Sequence, residues 1–254
     1  MNSGIYITAA GMAAQRARMD IVVNNMENVS TTGFKKDQGT IGTFTEMLVC
    51  AKNGERGSEK LGFSGFGAAL SDSVTSFEQG AVVETDCATD FALAGSGFFV
   101  LQGGNERVYT RDGSFTIDNG GYLVGAGGMR VLGERGPVQL TSRNESLQGI
   151  SVGNDGVITV GDRRADKLLI YDFEDKTQLV KQGENCYRAP GSSGHTVAKD
   201  KVMVKQGFLE QSNVDLNTEI VDMMAVLKVY EATQKALHAQ DNLSEKALRV
   251  GSTR

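Results

Sequence analysis

Apolar positions recur with a helical period at both ends of the chain and with a strand period between them. From Ile5 a stripe runs through Ala9, Met12, Arg16, Met19, Val23 and Met26 in alternating steps of four and three, the spacing of one seam along a helix. Between Ile5 and Asn28 there is a single glycine, Gly11, and no proline, so little interrupts that helix. Ser3 is placed to cap it, and Gly33, after Thr31 and Thr32, to end the turn beyond it. Such a helix would span roughly 37 Å. The C-terminal stripe is Leu216, Ile220, Met223, Leu227, Tyr230, Gln234, Leu237, Asp241, Ser244 and Leu248, weakening at Asp241 and Ser244. Ser212 with Asp215 fits a capping box; acids (Asp215, Glu219, Asp222) precede bases (Lys246, Arg249), complementing the helix dipole. Glu231–Lys235 and Glu245–Arg249 are i,i+4 pairs in the favourable orientation.

Between the helices the period drops toward two. Short β-like runs occupy 98–102, 107–110, 114–118, 122–126, 129–133, 150–153, 157–160 and 167–173. Asp112-Gly113, Asn119-Gly120 and Asp155-Gly156 stand between them as hairpin signals. Twelve glycines fall between Gly95 and Gly136, which marks this stretch as turn-rich. Residues 36–80 are less regular: Phe44, Met47, Leu48 and Val49 fit a helical turn or a strand, and 52–67 is rich in Gly, Ser and charge. The expected fold is α+β: a central antiparallel β domain flanked by N- and C-terminal amphipathic helices that pack as a coiled-coil-like pair. Its parts are an N-terminal assembly helix (1–35), a partly extended connecting segment (36–80), a β-rich core (81–206) and a C-terminal assembly helix (207–254).

Composition narrows the function classes. A net charge of −5 gives no generic attraction to nucleic acid or anionic lipid, and Lys35 and Lys36 are too few for a polybasic anchor. The three cysteines, Cys50, Cys87 and Cys186, are scattered and lack CxxC spacing, which argues against a disulfide framework and a zinc site. Arg16 and Arg18 break any apolar signal core near the N-terminus, and no run of eighteen apolar residues exists. The expectation is cytoplasmic residence or export without a cleaved signal, with no membrane insertion.

An isolated amphipathic helix is marginal in water and takes its stability from packing. The N-terminal helix carries apolar residues off its seam as well (Tyr6, Ile7, Ile21, Val22), which suggests several neighbours. Periodicity alone leaves two destinations open, other subunits or the interior of one ordinary α+β domain.

The stretch DIVVNNMENVSTTGFKK (20–36) resembles the N-terminal signature of flagellar rod and hook proteins. Asp20, Asn24, Asn25, Asn28, Thr31, Thr32, Gly33, Phe34 and Lys35 match that pattern, while Met26-Glu27 replaces its apolar-small pair. YTRDGSF (109–115) with its surroundings resembles the family's core segment, and GFLEQSNVDLNTEIVDMMAVLKVYEATQKAL resembles its closing helix. The resemblance implies a structural subunit of the flagellar basal-body rod that polymerises through its terminal helices and carries no enzyme activity and no cofactor. It implies other rod proteins, further copies of itself and the flagellar export apparatus as partners, and the periplasm-spanning rod as its location. VLGERGPVQL and QDNLSEKALRVG look closer to the proximal FlgF type than to the distal FlgG type.

The residues expected at the assembly interface are Ile5, Met12, Met19, Val23, Asn24, Asn25, Met26, Asn28, Thr32, Gly33, Phe34, Ile220, Met223, Leu227, Tyr230 and Leu237. For the asparagines, inter-subunit bonding competes evenly with a solvated face and helix capping. Gly33 is expected at positive φ and Phe34 as an anchor. Thr110-Arg111-Asp112-Gly113 reads as a hairpin turn with a local Arg–Asp pair. Gly95-Ser96-Gly97 lacks the lysine of a phosphate loop. His195 and His238 have no ligand-spaced partners, and the methionines at 12, 19 and 26 read as adaptable packing. Two other classes remain: a self-contained β-domain binding module, and a cysteine hydrolase using Cys87 or Cys186 with His195, which no local motif supports.

Overall fold

The computed structural model describes residues 3–43, 47–52, 58–64, 67–104, 106–140, 149–161, 163–189, 195–196 and 202–251. The chain divides into two compact units: Met1–Glu27, Asp37–Val74 and Asp215–Arg254 form one, and Asn28–Lys36 with Thr75–Val214 form the other. The fold is α+β, with a curled antiparallel sheet and two long helices.

The first unit holds helix α1 (Ser3–Glu27), strands β1 (Asp37–Thr43), β2 (Met47–Lys52), β3 (Ser58–Ser64) and β4 (Ala68–Thr75), and helix α2 (Leu216–Gly251). β1 pairs with β4, and β2 with β3 as an antiparallel hairpin, so the connecting segment is largely strand. Phe44 lies outside the described residues, while Met47–Val49 belong to β2.

α1 and α2 run antiparallel, and their contacts step by sevens. Gly4 lies against Gln240, Gly11 against Thr233, and Asn25 bonds Glu219. The facing rows are therefore not the apolar stripes expected from the sequence. On α1 the contact row is one position N-terminal to the Ile5–Met12–Met19–Met26 row, whose members are half-buried beside it. At Gly4 an added Cβ would sit 2.8 Å from Gln240 Nε2, so glycine lets that side chain lie across the helix there. On α2, Glu219, Val226, Thr233 and Gln240 form the row; Met223, Tyr230 and Leu237 are half-buried beside it, while Leu216, Ile220 and Leu227 are exposed. The seam is polar enough that, among the described residues, Gln15 Oε1 and Gln240 Oε1 are buried with no hydrogen-bond partner.

A different α1 face meets the strands. A Cβ on Gly39 of β1 would sit 2.6 Å from Ile21 Cδ1, and one on Gly67 3.0 Å from the Ala10 Cβ. The small Ala10 side chain thus leaves room for the chain leading into β4, and Gly39 for Ile21 against β1. α2 begins only at Leu216, because 208–210 is strand, and its cap is Asp215 rather than Ser212. Asp215 Oδ1 accepts from Asn217 N (3.2 Å) and Oδ2 from Thr218 Oγ1 (2.6 Å). Glu245–Arg249 closes at 2.7 Å, while among the described residues Glu231 and Lys235 form no ion pair.

The second unit contains β5 (Val82–Glu84), β6 (Phe91–Ala94), β7 (Phe98–Gly103), β8 (Glu106–Thr110), β9 (Thr116–Ile117), β10 (Leu123–Val124), β11 (Arg130–Gly133) and β12 (Gly136–Pro137). β13 (Ile150–Val152), β14 (Val157–Val160), β15 (Arg163–Lys167), β16 (Ile170–Asp172), β17 (Val180–Gly183), β18 (Cys186–Arg188), β19 (His195–Thr196), β20 (Met203–Gln206) and β21 (Phe208–Glu210) complete it. The main sheet runs β17-β18-β8-β7-β11-β10-β9, with β16 also on β7; β13-β14-β15 form a meander, and β6–β20 and β5–β21 are paired ribbons. The expected run 167–173 is divided: Lys167 ends β15, and Ile170 starts β16, which pairs with β7 instead.

β7 organises the packing. Phe99 and Leu101 face one cluster with Phe91, Phe115, Val131, Ile158 and Leu168; Phe98 and Val100 face another with Tyr109, Phe173, Leu179 and Tyr187. Alternation along the strand sends successive side chains to opposite faces, and both faces are covered. Hence the continuous run FFVL rather than an apolar–polar alternation. Each fully buried phenylalanine contributes about 1.5–3 kcal/mol relative to exposure.

Asn119-Gly120 and Asp155-Gly156 turn the chain as expected, between β9 and β10 and between β13 and β14. Asp112-Gly113 does not make a hairpin: β8 pairs with β7 and β18, β9 pairs with β10, and Gly113 lies against the Phe91 backbone. Gly33 has φ +66°, and any Cβ there would collide with the backbone of Asp112.

Gly33→Ala should therefore cost about 2 kcal/mol or more in urea unfolding. Gly11→Ala, whose Cβ would meet Thr233 Cγ2 at 3.8 Å, should be neutral or stabilising by up to about 1 kcal/mol. Burial, with the Glu184 and Asp112 carboxylates nearby, pushes the Cys186 thiol up to about 11. The folded state then holds a proton that the unfolded chain releases nearer 9, so this contribution to stability falls as pH climbs from about 9 to about 11. Cys186→Ala should flatten that part of the stability–pH curve.

Candidate functional site

Three segments far apart in sequence meet at one buried carboxylate in the second unit. Glu210, the last residue of β21, has no exposed side-chain surface. Its Oε1 accepts from Lys35 Nζ at 2.5 Å and from Gly80 N at 3.0 Å, and its Oε2 from Arg111 Nη1 at 3.2 Å. Lys35, wholly buried, also donates to Glu78 O at 2.6 Å; Arg111 donates Nη2 to Gly95 O at 2.9 Å and lies over the Phe98 ring. Burial drives both cations toward losing their protons, and Glu210 opposes that. Arg111 thus pairs with Glu210, not with the adjacent Asp112. Asp112 Oδ1 instead accepts from Thr32 Oγ1 (2.7 Å) and from Ser114.

Around this cluster the incoming and outgoing chain run side by side. Gly33 N donates to Glu210 O (2.8 Å), Asn213 N to Phe34 O, and Lys36 N to Asn213 Oδ1 (2.8 Å). Asn213 Nδ2 reaches Ser76 O and Glu78 O. Lys181 covers the Phe34 ring, its Nζ donating to Lys35 O at 2.7 Å, and Asn185 Nδ2 donates to Thr32 O. In the first unit Asn25 plays a parallel part: it exchanges two hydrogen bonds with the backbone of Asp37 (2.9 and 3.0 Å) and donates to Glu219.

The sequence-expected interface residues thus fall into three environments. Asn25, Gly33 and Phe34 are buried in intramolecular contacts, and half-buried Thr32 joins them through Asp112. Ile5, Met12, Met19, Val23, Met26, Met223, Tyr230 and Leu237 are half-buried on the helices, as is Asn28, which accepts from Thr31 Oγ1 in the turn beyond α1. Asn24, Ile220 and Leu227 are exposed. Glu210 and Asn213 went unflagged, although both stand inside a quoted motif, while Arg111 was expected to pair with Asp112 and Glu219 to serve the helix dipole; the signal was charge or amide flanked by residues of a buried strand or cap.

Cys186 is buried and holds its proton, the reverse of an activated nucleophile. Cys87 is exposed, and the His195 side chain lies outside the described residues. Among the described residues no group of His, Cys, Asp and Glu is placed to hold a metal, and no helix is long and apolar enough to cross a membrane.

The cluster permits a graded test. Glu210→Gln leaves two buried cations without their carboxylate and should cost about 3–5 kcal/mol in denaturant unfolding. Lys35→Met removes one of the two cations and leaves the Arg111–Glu210 pair, so it should cost clearly less.

Comparison with known proteins follows the same three segments. Residues 5–35 match the model described as flagella basal body rod protein, 92–160 the flagellar hook protein FlgE/F/G D1 domain, and 205–250 the flagellar basal body rod FlgEFG protein C-terminal. The flagellar basal-body rod protein FlgF of Caulobacter vibrioides is 31% identical, over 99% of each chain. The rod protein FlgG of Borreliella burgdorferi is 30% identical over 96% of each, and that of Bacillus subtilis 28% over 98% of this chain and 99% of its own. Identity does not divide the two types. Near-complete coverage by these relatives, together with the three matched segments, makes the chain a member of the flagellar basal-body rod protein family, a family of structural subunits.

Proposed function

We propose that this rod subunit polymerises with other rod proteins and with further copies of itself through the outward faces of α1 and α2, which pack as an antiparallel coiled-coil-like pair. The observation that carries this reading is where the large exposed apolar side chains lie. Nine of the thirteen among the described residues are on the two helices: Tyr6 and Ile7 on α1, and Leu216, Ile220, Val221, Met224, Leu227, Val229 and Leu243 on α2. Concentrated exposure of that kind marks a surface that another macromolecule covers.

In this reading the expected interface residues divide their work. Ile220 and Leu227 touch neighbours directly, with Asn24 beside them. Ile5, Met12, Met19, Val23, Met26, Met223, Tyr230 and Leu237 line the edge between the intramolecular seam and the neighbour. Asn25, Asn28, Thr32, Gly33 and Phe34 hold the turn that follows α1. The subunit travels through the flagellar export apparatus without signal cleavage and takes its place in the periplasm-spanning rod, without membrane insertion, nucleic-acid binding or enzyme activity. VLGERGPVQL and QDNLSEKALRVG favour the proximal, FlgF-type position.

A tagged chain should be recovered in the rod of isolated basal bodies. Ile220→Lys with Leu227→Lys should remove it from that fraction and abolish swimming while leaving the helical circular dichroism of the purified chain unchanged. Recovery of the wild type only outside the basal body would defeat the proposal.

A further inference from the structure

Given that the helices carry assembly, the structure assigns the contact itself: we infer that the exposed ridge at the start of α2 docks, in parallel, into the alanine groove of α1 on a second copy of this chain. An open assembly needs two different, complementary patches on each subunit, not one self-complementary patch. The first unit carries both. Leu216, Ile220, Met224 and Leu227 stand on one face of α2 in steps of four, four and three, all exposed. The concave counterpart is an open groove of about 340 Å³ with Ala10, Ala13, Ala14 and Ala17 of α1 on one side and Ala68–Leu70 of β4 on the other. Small side chains below and large ones above are what ridge-into-groove packing requires.

Charge selects the direction and register. Asp20 and Glu27 are exposed on α1, seven residues apart; Lys228 and Lys235 are exposed on α2, also seven apart. None of the four forms an ion pair within the chain among the described residues. At the helical turn angle, Asp20 and Glu27 lie about 70–90° to one side of the groove line, and Lys228 and Lys235 about 60–80° to the opposite side of the ridge line. Two parallel helices bring those sides together. The parallel register that sets Asp20 against Lys228 also sets Glu27 against Lys235, and it lays Ile220 and Met224 over the Ala10–Ala17 stretch. The antiparallel alternative would oppose the groove with His238, Asn242 and Glu245, which are polar and exposed. Apolar fit and charge therefore agree on one arrangement.

Sedimentation velocity of the full chain over a concentration series at low salt tests it. D20K/E27K and K228E/K235E should each weaken self-association on the order of tenfold, and the fourfold swap should return it to near wild type. Ala17→Trp, which fills the groove without altering charge, should weaken association as strongly, with unchanged circular dichroism. Association indifferent to the charge swaps, or a fourfold variant as weak as either double, overturns this docking while leaving helix-driven assembly standing. A wild-type chain that stays monomeric at all concentrations overturns both.

Discussion

The β unit depends on a carboxylate that water never reaches. Removing Glu210 from solvent is costly, and the cost is offset only because Lys35, Arg111 and the Gly80 amide converge on its two oxygens. Each partner belongs to a different part of the chain, so the pocket closes only when the segment after α1, the β8–β9 connection and the strand before α2 are all in place. A greasy substitute would hold these segments together as firmly, but it would tolerate slippage among them. Charges with directed hydrogen bonds do not, and the neighbouring bonds of Gly33, Asn213 and Asp112 fix the same register.

That arrangement explains why three stretches of sequence, far apart along the chain, carry the family resemblance. TTGFK, YTRDG and LEQSN are one constellation in space. Thr32 meets Asp112, Lys35 and Arg111 meet Glu210, and Asn213 ties Phe34 and Lys36 to Ser76 and Glu78. Their residue types follow from packing: glycine where Asp112 presses on the chain, asparagine where one side chain must both donate and accept, and lysine where a long stem reaches a buried acid.

The fold class and both helices were legible because their signals are local. Glycine content, a 3.6-residue period and the Asn119-Gly120 and Asp155-Gly156 turns need no knowledge of what lies across the molecule. The contact rows were not legible. An apolar stripe reports the average direction of all neighbours, and α1 has two, α2 and the β1–β4 pair, so its facing row runs through Gly4, Gly11 and Asn25 instead. Likewise Arg111 beside Asp112 looks like a local pair until β21 brings Glu210 to it. β5, β17 and β20 were missed because they are short and carry many exposed positions, leaving little alternation to read. The exposed ridge of α2 was visible as apolar residues, but only burial separates Ile220 and Leu227 from Met223 and Tyr230.

Around Val226 the seam between α1 and α2 has glycines, a threonine and amides where a self-sufficient helix pair would place leucines, and among the described residues two of its buried glutamine oxygens have no partner. Such a pair gains little from closing on itself. In the proposed assembly its cohesion would grow with each neighbour that covers the outer faces, so a subunit touching one other would be held far less firmly than one touching several. Small oligomers would then form weakly in solution, and an existing end would gain subunits more readily than a new start.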